Sequence, residues 1–241
     1  GAKMSKSKGN VVSADDMIDR FGADTGRLFE LFAAPPEKDL DWTEAGAEGA
    51  YRFVGRVYRF VTRNADRVVP GGEARTEADR AVLRKLHQTI RKLTEDFESR
   101  WHFNTSIAAI MELVNLLYAA EASLSGLVLG QAMEKLTLLL EPFAPYLAEE
   151  LWEELGRTGP VFRQPWPAFD PELAQEEMAN IVVQVNGKVR SRVAVPFGAA
   201  KDELERLALT DPKVQPLLTG KRVVKVIVVP DKLVNVVVAN L

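Results

Sequence analysis

The sequence predicts a multidomain chain, a mainly α-helical bundle followed by a small α+β domain of order ββαββ. Three observations carry that expectation. Through the middle of the chain, apolar positions such as Ile107, Ile110, Met111, Val114 and Leu117 recur at helical spacing. Beyond residue 178 the period changes to short β-branched runs, with Asn186-Gly187 between Ile181–Val185 and the alternating Val189, Val193 and Val195. Asn-Gly between two such runs is a strong signal for a two-residue hairpin turn. The 241 residues, 46% hydrophobic and 27% charged, are also enough for more than one buried core.

The elements follow in order. Residues 1–10 are polar, basic and aperiodic, and read as a loop. Ser13 with Asp16 resembles a capping box for a short helix that Gly22 ends. Asp24 is placed to cap a second helix, which must stop by Pro35-Pro36. Thr43 caps a longer helix running to about Val69, before Pro70-Gly71-Gly72. Thr76 with Asp79 starts another to about Ser99, and Asn104 another to about Ala122. A further helix from about Ser125 breaks at Pro142, resumes after Pro145 and ends near Gly156. Four prolines in 157–178 (Pro160, Pro165, Pro167, Pro171) suit an extended linker laid over a surface. The final unit has two strands, a helix over 199–209, and two strands joined around Pro230-Asp231-Lys232.

Composition excludes several chemistries. There is no Cys, so disulfides, thiolate metal sites and a thiol nucleophile are out, and the composition suits a reducing compartment. His87 and His102 are widely separated, which leaves no basis for a His-built zinc site or a Ser-His-Asp centre, and no metal ligand is expected. No apolar run approaches the ~20 residues needed to span a membrane. Taken alone, the net charge of −3 argues against a nucleic-acid partner, but its distribution reverses that. Residues 1–70 are neutral, with 11 cations and 11 anions; 71–178 carry 10 and 18, net −8; 179–241 carry 10 and 5, net +5.

The sharpest chemical signal is Lys3-Met4-Ser5-Lys6-Ser7, with Lys8-Gly9 following. Two ammonium groups and two hydroxyls on a loop can close over a triphosphate and neutralise charge developing on a pyrophosphate leaving group. A merely basic terminus is the other reading of so short a run.

Lys3 to Val12 resembles the signature loop of class I aminoacyl-tRNA synthetases, in the form shared by leucyl, isoleucyl and valyl enzymes. The stretches Gly22-Ala23-Asp24-Thr25, Arg27-Leu28-Phe29, Pro35 to Leu40 with Trp42, and Glu48 to Phe53 resemble the leucyl-tRNA synthetases of bacterial type. So do Phe103-Asn104-Thr105, Met111 to Asn115, Pro142-Phe143-Ala144-Pro145 with Glu149 to Trp152, and, near the C-terminus, Val183 to Arg190 and Val224 to Asn235. One departure is Tyr146, where the family usually has His.

The resemblance implies a C-terminal portion of such an enzyme. Residues 1–43 would be the ATP-loop and stem-contact segment of the catalytic region, and 44–156 a helical tRNA-binding bundle. Residues 157–178 would be a linker, and 179–241 a C-terminal tRNA-binding domain. The family's dinucleotide-fold catalytic domain, leucine pocket and editing domain precede the loop and are not in this sequence, which does not begin with Met. The parent activity implied is attachment of leucine to tRNA(Leu) through leucyl-adenylate with ATP and Mg²⁺, in the cytoplasm, as a monomer. Lys6 and Lys3 would contact the triphosphate, with Met4, Ser5 and Ser7 completing the ATP-binding loop; the piece alone is expected to be inactive. A valyl or isoleucyl relative and a free-standing RNA-binding module are the alternatives.

Two cationic surfaces are expected to meet the tRNA. Arg52, Arg56, Arg59, Arg63 and Arg67, spaced 4, 3, 4 and 4, share one helix face and suit bidentate phosphate contacts. The alternative is a solvated face pairing with the acidic segment. In the C-terminal unit, strict alternation puts Lys188, Arg190 and Arg192 on one sheet face, and Lys221, Arg222 and Lys225 are expected to extend it. Trp101, Phe103, Tyr118, Phe143 and Trp152 read as core, and Glu149-Glu150 as solvated surface.

Overall fold

A computed structural model describes residues 4, 7, 9, 11–35, 37–40, 42–71, 73, 74, 76–176 and 178–240, apart from the Arg100 side chain. Two compact units result, residues 1–175 and 176–241, each with its own hydrophobic core.

The first unit is helical. α1 (Ala14–Phe21) starts at Ser13, whose hydroxyl accepts the Asp15 N–H rather than closing a reciprocal box with Asp16, and stops at Gly22, where φ is 83°. α2 (Ala23–Ala33) is followed by extended Ala34, the conformation imposed on a residue preceding proline. Its expected cap is corrected: Gly22 holds the cap position and Asp24 lies inside the helix. α3 (Glu44–Asn64) is capped by Thr43 and tightens into a 3-10 turn over Ala65–Arg67, so the regular helix stops short of Val69. α4 (Glu77–Glu95) opens on the reciprocal Thr76–Asp79 box and ends in one π turn, Asp96–Arg100. α5 (Phe103–Ala120) begins before Asn104, which therefore does not cap it. Ser125 caps α6 (Gly126–Leu140), and α7 (Pro145–Glu154) carries proline in its first turn, where a missing N–H costs nothing.

Packing joins α4 to α5 and α6, α2 to α3 and α5, and α7 to α3 and α6. Phe60, Leu86, Ile90, Ile107, Leu113, Leu117, Met133 and Phe143 are fully buried at the centre. Contrary to the reading from composition, Phe103–Ser123 is long and apolar enough to cross a membrane by length and hydropathy. Its Ile107, Ile110, Leu113, Val114 and Leu117 are spent on the bundle core. Gly126 and Gly130 let α6 lie against the end of the α3 segment: a methyl group at 126 would run into the Arg67 carbonyl, and one at 130 would meet Val68 at 2.7 Å.

After α7 the chain makes a 3-10 turn at Val161–Arg163 and continues, mostly extended, over the helices. Trp166 donates its indole N–H to the Thr94 hydroxyl, and Arg84 and Gln88 donate to the carbonyls of Gln175 and Ala174.

The second unit holds β1 (Met178–Val185), β2 (Lys188–Pro196), α8 (Lys201–Thr210), α9 (Gln215–Leu218), β3 (Lys221–Val229) and β4 (Leu233–Asn240). The strand order is β2-β1-β4-β3; β1 is antiparallel to β2 and parallel to β4, and β3 is antiparallel to β4. Asn186 (φ 48°) and Gly187 (φ 77°) form the predicted tight turn with both central residues left-handed. Leu204, Ala208 and Val214 cover Ile181, Val183, Val234 and Val236 on one face of the sheet. Among the described residues, no helix of this unit packs on the opposite face.

Candidate nucleic-acid interface

Helix geometry brings Arg52, Arg56, Arg59 and Arg63 to one side of α3, with Arg67 in the 3-10 turn that follows, but their surroundings divide them. Arg63 pairs with Glu121 through both Nε (2.7 Å) and Nη2. Arg67 donates to Asn64 Oδ1 at 2.6 Å and to the carbonyls of Glu121 and Leu124. Burial would raise the Glu121 carboxyl, yet hydrogen bonds from Arg63 and Asn64 hold it below its ordinary value. Arg56 donates to Asn115 Oδ1 at 3.0 Å and lies over the Tyr118 ring. Pairing with the acidic segment thus describes Arg63, and internal contacts also occupy Arg56 and Arg67. The Arg52 guanidinium has only a 3.6 Å contact with Glu48, and the Arg59 guanidinium has no hydrogen bond or ion pair among the described residues.

Arg52 and Arg59 border a concavity of about 400 Å³ between α2, α3 and α7, whose walls include Tyr51, Tyr58, Leu147 and Glu150. At its base lies Asp24, nearly buried. The Asp24 carboxylate accepts the N–H groups of Leu147 (2.6 Å) and Tyr146 (3.4 Å), the open donors at the start of α7. One turn along α2, Arg27 donates to the carbonyls of Pro142 (2.8 Å) and Phe143 (3.3 Å), just beyond the end of α6. Two side chains of one helix thus hold both sides of the corner between two others. Burial pushes the Asp24 carboxyl above its ordinary value, while the two backbone donors and Arg27 pull it down. Tyr146, the family departure, contributes its backbone here and leaves its side chain 73% exposed.

The sheet register corrects the expectation of one cationic face. Val183 pairs with Ser191 and Gln184 with Val189, so Arg190 is the extra residue of a bulge. Directly opposed residues share a face. Lys188 opposes the core residue Val185 and Lys221 opposes Asn240, both on the helix-covered side by register. Arg192 opposes Val182, Arg222 opposes Ala239 and Lys225 opposes Val237, all on the open side. Since β2 and β3 are the two edges, Arg192 stands three strand spacings, about 14 Å, across the sheet from β3, and the register sets it level with Val229 rather than with Arg222 or Lys225. By register the central strands present Val182, Leu233, Val237 and Ala239 together with the amides Asn180, Gln184 and Asn235 on the open face, with cations on both edge strands.

Of the phosphate loop, Lys3, Ser5 and Lys6 lie outside the described residues, as do Lys8 and Asn10. Met4 and Ser7 are exposed. Met4 lines, with Val12, Met17, Ile18, Leu40 and Trp42, a cavity of about 390 Å³. Trp42 is fixed edge-on against Phe29 at 5.0 Å. Among the described residues no group of three or more His, Asp or Glu is arranged to hold a metal ion.

Several assignments change. Trp101 is 63% exposed with φ 55°, although Phe143 and Trp152 are core as read. Glu149 accepts the Val161 N–H at 3.0 Å, so it is not a free surface carboxylate. His87 is buried and its Nδ1 accepts the Asp170 N–H at 2.8 Å, fastening the segment after α7. Burial, helped by Lys135, lowers its pKa, and Asp170 opposes. Sequence pattern missed Asp24, His87 and Glu121 because each partner lies far along the chain.

A capped helical bundle behind a class I signature loop defines a type of protein, and comparison with known families agrees. The family described as the anticodon-binding domain of tRNA ligases matches residues 79–205, and that of class I tRNA synthetases for Ile, Leu, Met and Val matches residues 1–43. The chain belongs to the class I tRNA ligases that carry this anticodon-binding domain. Its relatives there are leucine–tRNA ligases, the branch read from the sequence. That of Solibacter usitatus is 66% identical over 99% of this chain and 29% of its own length. That of Syntrophobacter fumaroxidans is 52% identical over 99% and 30%. Among solved structures, the agnB2 LeuRS of Agrobacterium radiobacter K84, in a ternary complex with tRNA and LeuAMS, superposes with a TM-score of 0.89 at 34% identity, over 99% of this chain and 32% of that one. The chain spans about three tenths of the length of these relatives.

Proposed function

We propose that this chain is the tRNA-binding part of a leucine–tRNA ligase, and that the activity it serves is ATP-dependent attachment of leucine to tRNA(Leu). The observation that carries the reading is the likeness, across 99% of the chain, to a LeuRS solved with tRNA. Physical features support it. Arg52 and Arg59 stand open beside a concavity, and Arg192, Arg222 and Lys225 border an open sheet face; guanidinium and ammonium groups so placed suit phosphate contacts. Folded RNA is recognised mainly through shape and backbone, for which such spread cations serve better than one dense patch. Lys188 and Lys221, on the helix-covered side by register, and Arg190, in the bulge, lie off that face and make the lesser contribution to the same tRNA contact.

Lys3 and Lys6, with the Ser5 and Ser7 hydroxyls and the Met4 backbone, form a donor set that fits a polyphosphate and not a divalent cation, which asks for oxygen ligands. ATP, bound with Mg²⁺, supplies the activating phosphate chemistry; this chain's part is to hold the phosphates and neutralise their charge. The leucine site and the rest of the nucleotide site belong to the remaining length of the relatives. The chain alone is a cytoplasmic-type, monomeric tRNA binder without ligase activity.

Binding of a tRNA(Leu) transcript, followed by fluorescence anisotropy at 50 and 200 mM salt, tests the reading. The expected result is specific binding that weakens steeply with salt; absence of binding at 50 mM salt overturns it. Leucine-dependent ATP–pyrophosphate exchange by the chain alone would overturn the second half.

A further inference from the structure

The concavity between α2, α3 and α7 has a composition that general phosphate binding does not require. Tyr51 and Tyr58 are 54% and 38% exposed, two turns apart on α3, and both line it. The two arginines at its edge are the ones that internal contacts leave available, while Arg63 and Arg67 further along the helix are held by Glu121 and neighbouring carbonyls. Val54, Gly55 and Leu147 add apolar lining beside Asp24, and its volume of about 400 Å³ lies within the range of small-ligand pockets, roughly 300–1,000 Å³. Glu150, exposed on α7, adds an acceptor on the wall contributed by that helix.

A duplex backbone has use for the arginines but none for the tyrosine rings or the carboxylate. An unpaired nucleotide uses all three kinds of group: its base has a π-face for a tyrosine and amino or imino hydrogens for a carboxylate, and its phosphate pairs with a guanidinium. We propose that this pocket takes an unpaired nucleotide of the bound tRNA, with the base on Tyr58, its polar edge toward Glu150 and its phosphate at Arg52 and Arg59. The proposal rests on the tRNA-binding reading above and adds a nucleotide-specific subsite to it. Gly55 leaves room for the present course of Arg59: a methyl group there would stand 3.0 Å from the guanidinium, which would have to give by a few tenths of an ångström.

The test is anisotropy titration of a tRNA(Leu) transcript and of a fully paired RNA duplex with the unaltered chain, Tyr58→Ala, Tyr58→Phe and Arg59→Ala. Tyr58→Ala should weaken tRNA binding about tenfold without changing its salt slope, because stacking is lost and no charge is removed. Tyr58→Phe should restore the affinity. Arg59→Ala should weaken binding and lower the salt slope by about one. Duplex affinity should be the same for Tyr58→Ala and the unaltered chain. The proposal is overturned if Tyr58→Ala binds tRNA normally, if Tyr58→Phe fails to rescue, or if duplex and tRNA binding fall together. Should Tyr58→Ala fail to fold, as circular dichroism would reveal, an unchanged salt slope for Arg59→Ala overturns it instead. When the unaltered chain binds tRNA and the pocket variants bind equally well, the subsite alone is lost. When the unaltered chain binds no tRNA, the broader reading falls with it.

Discussion

Asp24 lies in the first turn of α2, yet its carboxylate serves the start of α7, more than a hundred residues away. Helix starts leave N–H groups open, and an anion there also meets the favourable end of the helix dipole. Asp24→Ala should therefore cost about 1–2 kcal/mol in a denaturant melt, as loss of a helix cap does; an unchanged midpoint would show that water replaces the carboxylate without penalty. His87 makes the complementary case with a donor from a loop. Its lowered pKa means that the unfolded chain takes up a proton more readily than the folded one. The bond to Asp170 is then fully present above about pH 6.5 and is lost as pH falls through the folded pKa. Trp166 emission and protection of the 157–175 backbone from exchange should both decline between pH 7 and pH 5, and a flat response would exclude His87 as the fastener. Thr43, Thr76 with Asp79, and Ser125 were legible as caps because their bonds close within three residues. Asp24, His87 and Glu121 were not, since only the fold brings their partners near.

At the scale of elements, period was a good guide to what forms and a poor guide to which way side chains point. The 3.6-residue repeat located α3 and the arginine row, but the row's character depends on the end of α5, where Glu121 takes up Arg63. In β2 the strict two-residue alternation fails at one bulge, and one extra residue exchanges the faces of everything beyond it. That difference is measurable. If the open face meets the RNA, Arg192→Glu should weaken tRNA binding more than Lys188→Glu, by about fivefold or more at 50 mM salt, a modest charge-contact effect. Equal losses from the two reversals would mean that the face without a helix is not the contact surface. The hairpin itself was readable, because Asn186-Gly187 specifies its turn by local backbone preference alone.

Across the whole molecule, the net charge of −3 conceals the feature that matters: cations gathered in the last 63 residues and along α3, flanking in sequence the acidic stretch 71–178, whose carboxylates cap helices and bind arginines. If both units contact the tRNA as proposed, two separate cores each offering cations to one large polyanion would make a bivalent binder. Bivalency predicts more than additive loss when the units are parted. Once one unit is bound, the other searches for its site at the high effective concentration set by the connection, so two weak contacts give a tight one. Residues 1–175 and 176–241, produced separately, should each bind tRNA(Leu) at least about tenfold more weakly than the intact chain, while their salt slopes sum to roughly its slope. The slope counts phosphate contacts and survives the cut; the affinity depends on the connection and does not. If one piece alone matches the intact chain in both respects, the other unit takes no part in holding the RNA, and its cations serve only to keep it soluble.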